Sequence, residues 1–156
     1  MNALARGLLL AFLLAACTPT AVLHAQPVAS PDVQVTPVEV ATRGGQLSVK
    51  LVVRNTSNAT LLIQRDQIVV RLPFGDTVTR EVGRLYLAGL WGAHPGDHWR
   101  THAPDVLPPG TAHTIDLDYE QRSFEWKDVG SVRVDFDGAI TRGAERVDVP
   151  ALVVTR

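Results

Sequence analysis

The chain is poor in cysteine: Cys17 is the only one among its 156 residues. A domain with a single cysteine has no internal disulfide, so it must be held together by its core, which a hydrophobic content of 46% can supply. The sequence also lacks an apolar run long enough to cross a membrane as a helix, which takes about 20 residues. Residues 7–16, which carry no polar side chain, are too short for that.

An excess of charge of one sign is absent as well. Fifteen lysines and arginines stand against sixteen aspartates and glutamates, the formal net charge is −1, and no block of like charge stands out. Such a chain has no global field that would attract nucleic acid or an anionic membrane surface. We therefore expect no nucleic-acid partner.

Sequence motifs of common enzymes are missing too. The chain has no G-x-S-x-G nucleophile elbow, no phosphate-binding P-loop and no H-E-x-x-H zinc motif. Its serines at 48, 57 and 123 have no catalytic motif around them. The sequence therefore predicts a protein that is not an enzyme and that uses no cofactor.

The N-terminal segment carries a more specific pattern. Arg6 precedes the apolar residues 7–16, and a short apolar run behind a basic start is typical of a cleavable export signal. The run ends in Leu14, Ala15, Ala16 and Cys17. These residues resemble the lipobox of bacterial lipoprotein signal peptides. The resemblance implies cleavage after Ala16, a diacylglyceryl thioether on Cys17 and acylation of the new amino terminus. Because Thr18 follows, it also implies an outer-membrane anchor that faces the periplasm.

A second processing route stays open. Leu23, His24 and Ala25 form a weaker site for ordinary signal peptidase, since leucine is tolerated but not favoured three residues before a cut. Cleavage after Ala25 would give a secreted or periplasmic chain without lipid, beginning at Gln26. We carry the lipoprotein interpretation forward and keep the soluble one as its alternative.

Composition divides the chain into three parts. After the signal of residues 1–16, residues 17–36 hold the lipidated cysteine and a stretch rich in proline, alanine and threonine, which favours an extended, flexible tether. Residues 37–156 are expected to form one domain around one hydrophobic core.

Alternation of apolar and polar residues dominates that domain. In LSVKLVVRN the apolar residues 47, 49, 51 and 53 fall on one face, which is the two-residue period of a half-buried strand. Similar segments recur between turn-forming clusters, among them TIDLDYE, SVRVDFD and ERVDVPALVV, each expected as one strand. The only helical feature is one turn in SFEWKDV. The cluster NTSNAT fits the N-glycosylation pattern at Asn55 and Asn58, which we interpret as turn residues. Short strands without helices predict an all-β antiparallel sandwich of about seven to nine strands.

Two segments are similar to strand–turn units of small secreted immunoglobulin-like modules, including telokin-like ones. They are VKLVVRNTSNATLLI and LPPGTAHTIDLDYE. The resemblance spans residues 33–156. It implies an immunoglobulin-like sandwich, and it carries no functional residues with it.

A long segment without strand pattern, residues 88–110, reads AGLWGAHPGDHWRTHAPDVLPPG. Long loops in compact domains tend to be functional or disordered, and aromatic and arginine side chains supply most of the anchoring energy at protein interfaces. We therefore expect a non-catalytic binding or assembly module that holds an envelope protein through residues 88–105. Trp91, Trp99 and Arg100 are the expected anchors. Alternatively, the indoles cap an open end of the sandwich.

The same segment holds His94, His98 and His102 at four-residue spacing. Imidazole is a good ligand for zinc or copper, so a periplasmic metal-binding protein is an alternative function. Against it, Pro95 follows the first histidine and disfavours the helix that would align all three, and no thiolate is available.

Carboxylates alternate with apolar residues in two further segments. Asp116, Asp118 and Glu120 lie in TIDLDYE, and Asp135 and Asp137 lie in SVRVDFD. If the two strands paired, these carboxylates would share a face suited to calcium or to the acid–base chemistry of a glycosidase. We interpret them instead as a solvated face that nearby arginines neutralise.

Overall fold

The computed structural model describes residues 20–43, 45–75, 77–78, 103–120 and 126–156. These residues form mainly β-strands, with two single 3₁₀ turns at Arg65–Gln67 and Trp126–Asp128. The fourteen strands of the described residues are β1 (Thr20–Val22), β2 (His24–Ala25), β3 (Val28–Ala29), β4 (Val33–Arg43), β5 (Gln46–Asn55), β6 (Leu61–Ile63), β7 (Val69–Arg71), β8 (Thr77–Val78), β9 (Asp105–Leu107), β10 (Ala112–Glu120), β11 (Ser131–Asp135), β12 (Ile140–Arg142), β13 (Glu145–Arg146) and β14 (Leu152–Thr155).

The strands form antiparallel sheets arranged as two layers. In the first layer β5 lies between β4 and β10, and β1 and β3 pair with the other edge of β4. The second layer has two sheets, in the orders β2-β14-β11-β7-β8 and β13-β12-β6-β9. Pairing of β6 with β12 continues that of β7 with β11 across a bend, where the Gln64 amide donates to the Ala139 carbonyl at 2.8 Å. The predicted all-β antiparallel sandwich is confirmed.

One hydrophobic core lies between the layers. In β5 every second residue is buried, as the two-residue period predicts. Both layers contribute fully buried side chains, for example Leu51 and Ile115 from the first and Val134 and Leu152 from the second. The buried hydroxyl of Tyr119 crosses the core and donates to the Ile68 carbonyl at 3.1 Å, so its polar end is satisfied.

The segment expected to be a tether belongs to the sandwich from Thr20 onward. It provides β1, β2, β3 and the start of β4, and Val33 and Val35 are fully buried. Leu23 and Ala25 pack against the core. The folded part therefore begins upstream of the expected boundary at residue 37. The prolines exclude a helix here, but the residues between them can still pair with the edges of strands.

Two other segments differ in detail from their predicted form. ERVDVPALVV, expected as one strand, is divided into β13 and β14, with Pro150 in the interruption. The turn expected in SFEWKDV is the 3₁₀ turn at Trp126–Asp128. There the buried indole of Trp126 donates from Nε1 to the Gly45 carbonyl at 2.9 Å, which ties this turn to the β4–β5 hairpin.

Candidate binding site

The chain between β8 and β9 contains the residues that the sequence marks for binding. Trp91, Trp99 and Arg100 lie outside the described residues, as do His94, His98 and His102. The lipidation candidate Cys17 also lies outside them. The structure does describe the two strands from which the segment departs and to which it returns.

These two strands lie along the same edge of the second layer. β8 pairs with β7, and β9 pairs with β6, the strand that precedes β7 in the chain. The 3₁₀ turn at Arg65–Gln67 joins β6 to β7. The β8–β9 connection is therefore bounded on both sides by strands that lie along the same edge of the second layer.

An ion pair fixes the start of β9, where the β8–β9 connection ends. Asp105, the first residue of β9, lies opposite Ile63 and receives hydrogen bonds from both Nε and Nη2 of Arg65, the latter at 2.9 Å. The two side chains are only 25% and 17% exposed. The hydrogen bond to Asp105 raises the pKa of the Arg65 guanidinium, against the opposing effect of burial. A two-pronged, half-buried pair of this kind fixes both position and orientation.

Beyond β9, a buried asparagine joins two turns. The side-chain amide of Asn55 donates to the carbonyls of Ala59 at 2.7 Å and Leu107 at 2.9 Å. Its Oδ1 accepts from the amide and hydroxyl of Ser57 at 2.9 and 2.7 Å. The backbone of Asn55 completes the link by bonding to residues 110 and 111. Because its amide nitrogen is fully engaged inside the protein, Asn55 acts as a turn residue, in line with the interpretation of NTSNAT.

The side chains of Asp116 and Asp118 in β10 point outward from the first layer. Asp116 lies opposite Lys50, with 3.7 Å between its Oδ1 and the lysine Nζ, and Glu39 of β4 flanks the same lysine on the other side. Asp118 accepts a hydrogen bond from Ser48. The Asp116 side chain is 68% exposed, so this row is a screened surface network.

The carboxylates of β11 belong to the other layer. β11 pairs with β7 and β14 and not with β10, so Asp135 does not share a face with Asp116 and Asp118. Its Oδ2 accepts from Arg71 Nε at 2.6 Å. Burial alone would raise the pKa of Asp135, but the amide of Asp137 and the Arg71 guanidinium hold it below its ordinary value. The pairing that a calcium or glycosidase site required is therefore not formed.

Two shallow grooves lie on the described surface. One of about 310 Å³ runs over Glu39, Lys50 and Asp116 on the first layer. Another of about 290 Å³ lies between the N-terminal strands and β14, over His24 and Val153. Both are open to solvent on one side. Within the described ranges no group of three or more histidine, cysteine, aspartate or glutamate side chains is placed to hold a metal ion.

The sequence did not predict the Arg65–Asp105 pair or the hydrogen bonds by which Asn55 reaches Ala59 and Leu107. The signal for Asn55 was present, since an asparagine that ends a strand and begins a turn cluster often bonds to nearby backbone. No local sequence pattern predicts the ion pair of Arg65, because its partner lies 40 residues further along the chain.

Comparison with known proteins does not add a functional assignment: the chain matches no family model, no curated protein and no solved structure. In the part of the chain that the structure describes, no helix has the length and apolar character needed to span a membrane.

Proposed function

We propose that this protein is an envelope lipoprotein, anchored through Cys17 to the outer membrane and facing the periplasm. Its sandwich serves as a non-catalytic binding or assembly module for another envelope protein. The β8–β9 connection carries the binding residues, with Trp91, Trp99 and Arg100 as anchors.

The position of β1 and β2 is the observation that favours the lipid anchor over ordinary secretion. Cleavage after Ala16 leaves both strands in the mature protein, whereas cleavage after Ala25 removes them. β1 pairs with β4, β2 pairs with β14, and the Leu23 amide donates to the Val40 carbonyl at 2.8 Å. Cleavage after Ala25 would take part of the folded domain with it, and this supports the proposal of cleavage after Ala16.

The order of the long strands supports an immunoglobulin-like sandwich. β4, β5 and β10 share one layer, while the chain between β5 and β10 and the chain after β10 build most of the other. Immunoglobulin-like domains distribute their strands between two sheets with crossing connections of this type. Such domains serve many purposes, so the fold alone assigns no activity.

The surroundings of the carboxylates favour a non-catalytic role. General acid–base catalysis requires carboxylates whose environments separate their pKa values around a shared substrate site. In the described residues Asp116 and Asp118 face solvent on one layer, and Asp135 is paired with Arg71 on the other. The two grooves are open and shallow, unlike the enclosed pockets that bury most of a small substrate.

Processing is tested by expressing the full chain in a Gram-negative host and measuring the mass of the mature protein. We expect an N-terminal Cys17 that carries a diacylglyceryl group and an additional acyl chain. The matched variant Cys17→Ser should accumulate as uncleaved, unacylated precursor, because the sulfur that forms the thioether is gone. An unmodified mature chain that begins at Gln26 would refute the lipid anchor.

Partner binding is tested in intact cells with a photo-crosslinking amino acid placed singly at positions 91 and 99. The control position is Asn58, an exposed turn residue outside the β8–β9 connection. We expect one discrete adduct of the same mass from 91 and 99, absent from 58 and reduced by Arg100→Ala. Adducts that are identical at all three positions, or absent from 91 and 99, would contradict the proposed site.

A further inference from the structure

We propose that a short connection holds one particular end of the sandwich against the lipid bilayer. This end is the one where β1 begins, and we refer to it below as the anchored end. The inference rests on the proposed acylation of Cys17. In this arrangement the lipid headgroups contact the anchored end, and the opposite end of the sandwich faces the periplasm.

The length of chain between the lipid and the fold is the first argument. Thr20 is already paired with Arg43, and only Thr18 and Pro19 separate it from Cys17. Three residue steps reach at most about 11 Å, even when fully extended. The start of β1 therefore lies within about one headgroup layer of the acylated cysteine, and the sandwich has no long tether.

The first layer defines which elements share this end. Thr20 pairs with Arg43, Arg43 pairs with Gln46, and Gln46 pairs with Glu120. The β4–β5 hairpin therefore lies at the anchored end, together with the last residue of β10. The bond from Trp126 to Gly45 places the start of the β11 segment there as well.

The second layer contributes an exposed aromatic ring to the same end. β7 runs antiparallel to β11, with Arg71 opposite Arg133, so β7 ends near the start of β11. The turn between β7 and β8 contains Phe74, a residue that is 63% exposed. On the first layer Val22 of β1 is 67% exposed. Aromatic side chains at the membrane–water boundary place an apolar body among the headgroups, so a bilayer is a suitable partner for this end.

The opposite end has a different chemistry. There the Thr56 amide donates to the Asp32 carbonyl at 2.9 Å, and Arg142 pairs with Asp32 at 3.4 Å. Its exposed turn residues include Asn58 and Gly110. The ten residues of β5 separate the two ends by about 30 Å. A polar end at this distance from the bilayer is suited to contact with water.

The orientation is tested by depth-dependent fluorescence quenching on the full-length, acylated protein. Because acylation consumes the sulfur of Cys17, the variants Phe74→Cys and Asn58→Cys each carry one free thiol for an environment-sensitive fluorophore. Pro73→Cys, in the same turn, guards against a local effect of removing Phe74. Each protein is reconstituted in phosphatidylethanolamine–phosphatidylglycerol vesicles whose headgroups carry a nitroxide quencher.

We expect loss of most fluorescence from labels at 73 and 74 and little loss at 58. A spacer of about 20 Gly/Ser residues between Pro19 and Thr20, with an r.m.s. length of about 25 Å, should weaken the quenching at 74. Equal quenching at 74 and 58, stronger quenching at 58, or quenching at 74 that the spacer leaves unchanged would overturn the inference.

The mass of each reconstituted protein separates the two proposals. An acylated chain with equal quenching at both ends overturns the orientation and leaves the lipid anchor standing. A chain that is unacylated in the cell overturns both.

Discussion

A fully buried amide has no water to replace a lost partner, and Asn55 is such a group. It bonds to two backbone carbonyls with its nitrogen and to Ser57 with its oxygen, and so joins the turn after β5 to the end of β9. The residue is fully buried, and every described buried side-chain polar atom has a hydrogen-bond partner. At the scale of single residues, the fold therefore depends on a few buried polar groups that have all of their hydrogen-bond partners.

Replacing Asn55 with alanine should therefore lower the free energy of unfolding by about 2–4 kcal/mol, since several buried polar groups lose a partner. Chemical denaturation of the soluble domain measures this loss. Asn58→Ala, in the exposed part of the same turn, is the matched control and should change stability by less than about 0.5 kcal/mol. Equal effects of the two substitutions would contradict the role assigned to Asn55.

Asp135 predicts a dependence of stability on acidity. Its folded-state pKa lies below the ordinary value, because the Asp137 amide and Arg71 outweigh the effect of burial. The carboxylate therefore stabilises the folded protein above the unfolded pKa of about 3.9, and this contribution is lost as the pH falls through the lower folded pKa.

We expect Asp135→Asn and Arg71→Gln each to flatten the decline of stability below about pH 4, measured as denaturation midpoints over a pH series. An Asp135→Asn protein that keeps the full decline of the parent would show that other carboxylates cause it.

At the scale of elements, the strands with a strict two-residue period were predictable from sequence. β5 and β10 alternate between buried and exposed positions, and both were expected with the correct inward faces. The N-terminal strands were not predictable. β2 and β3 have two residues each, too short for any period, and their pairing depends on edges that only the folded sandwich presents.

The contribution of these short strands can be measured by comparing two soluble chains without Cys17. A chain that begins at Thr18 keeps β1 and β2, and one that begins at Gln26 lacks them. The shorter chain should lose about 2 kcal/mol of stability or more, because Leu23 and Ala25 leave the core and two strand pairings disappear. Equal thermal midpoints would mean that β1 and β2 add nothing to the fold.

The Arg65–Asp105 pair predicts a second effect at the level of elements. Because it is half-buried and two-pronged, a double-mutant cycle with alanine at both positions should give a coupling of about 1–3 kcal/mol. The exposed pair of Lys50 and Asp116 is the matched control, and its coupling should be much smaller. A larger coupling energy for Lys50–Asp116 than for Arg65–Asp105 would contradict the conclusion that the Arg65–Asp105 pair fixes the start of β9.

At the scale of the whole molecule, the sequence predicted the fold class but not how its candidate residues are distributed. Periodicity reports which face a residue occupies and not which strands become neighbours. The carboxylates of β10 and β11 were correctly expected to alternate with buried residues, yet the chain places the two strands in different layers. Which strands pair over such a long range depends on all the strand edges of the folded domain and on the connections between the strands.

The proposed function makes a prediction for metals at this scale as well. If the β8–β9 connection binds protein and not metal, zinc or copper should leave the thermal midpoint of the parent unchanged. The variant in which His94, His98 and His102 are all replaced with alanine is the control. A rise in the parent midpoint that this variant abolishes would favour the metal-binding alternative.

The path of the N-terminal segment also bears on the order in which the molecule can be completed. β2 pairs with β14, so one of the first strands of the described chain requires the last one. Contacts between such distant parts of a chain form late in folding. In a chain that crosses a membrane with its amino end first, β2 would emerge long before its partner. In such a chain the pairing of β2 with β14 forms only after the last strand has crossed, so this part of the second layer is completed last.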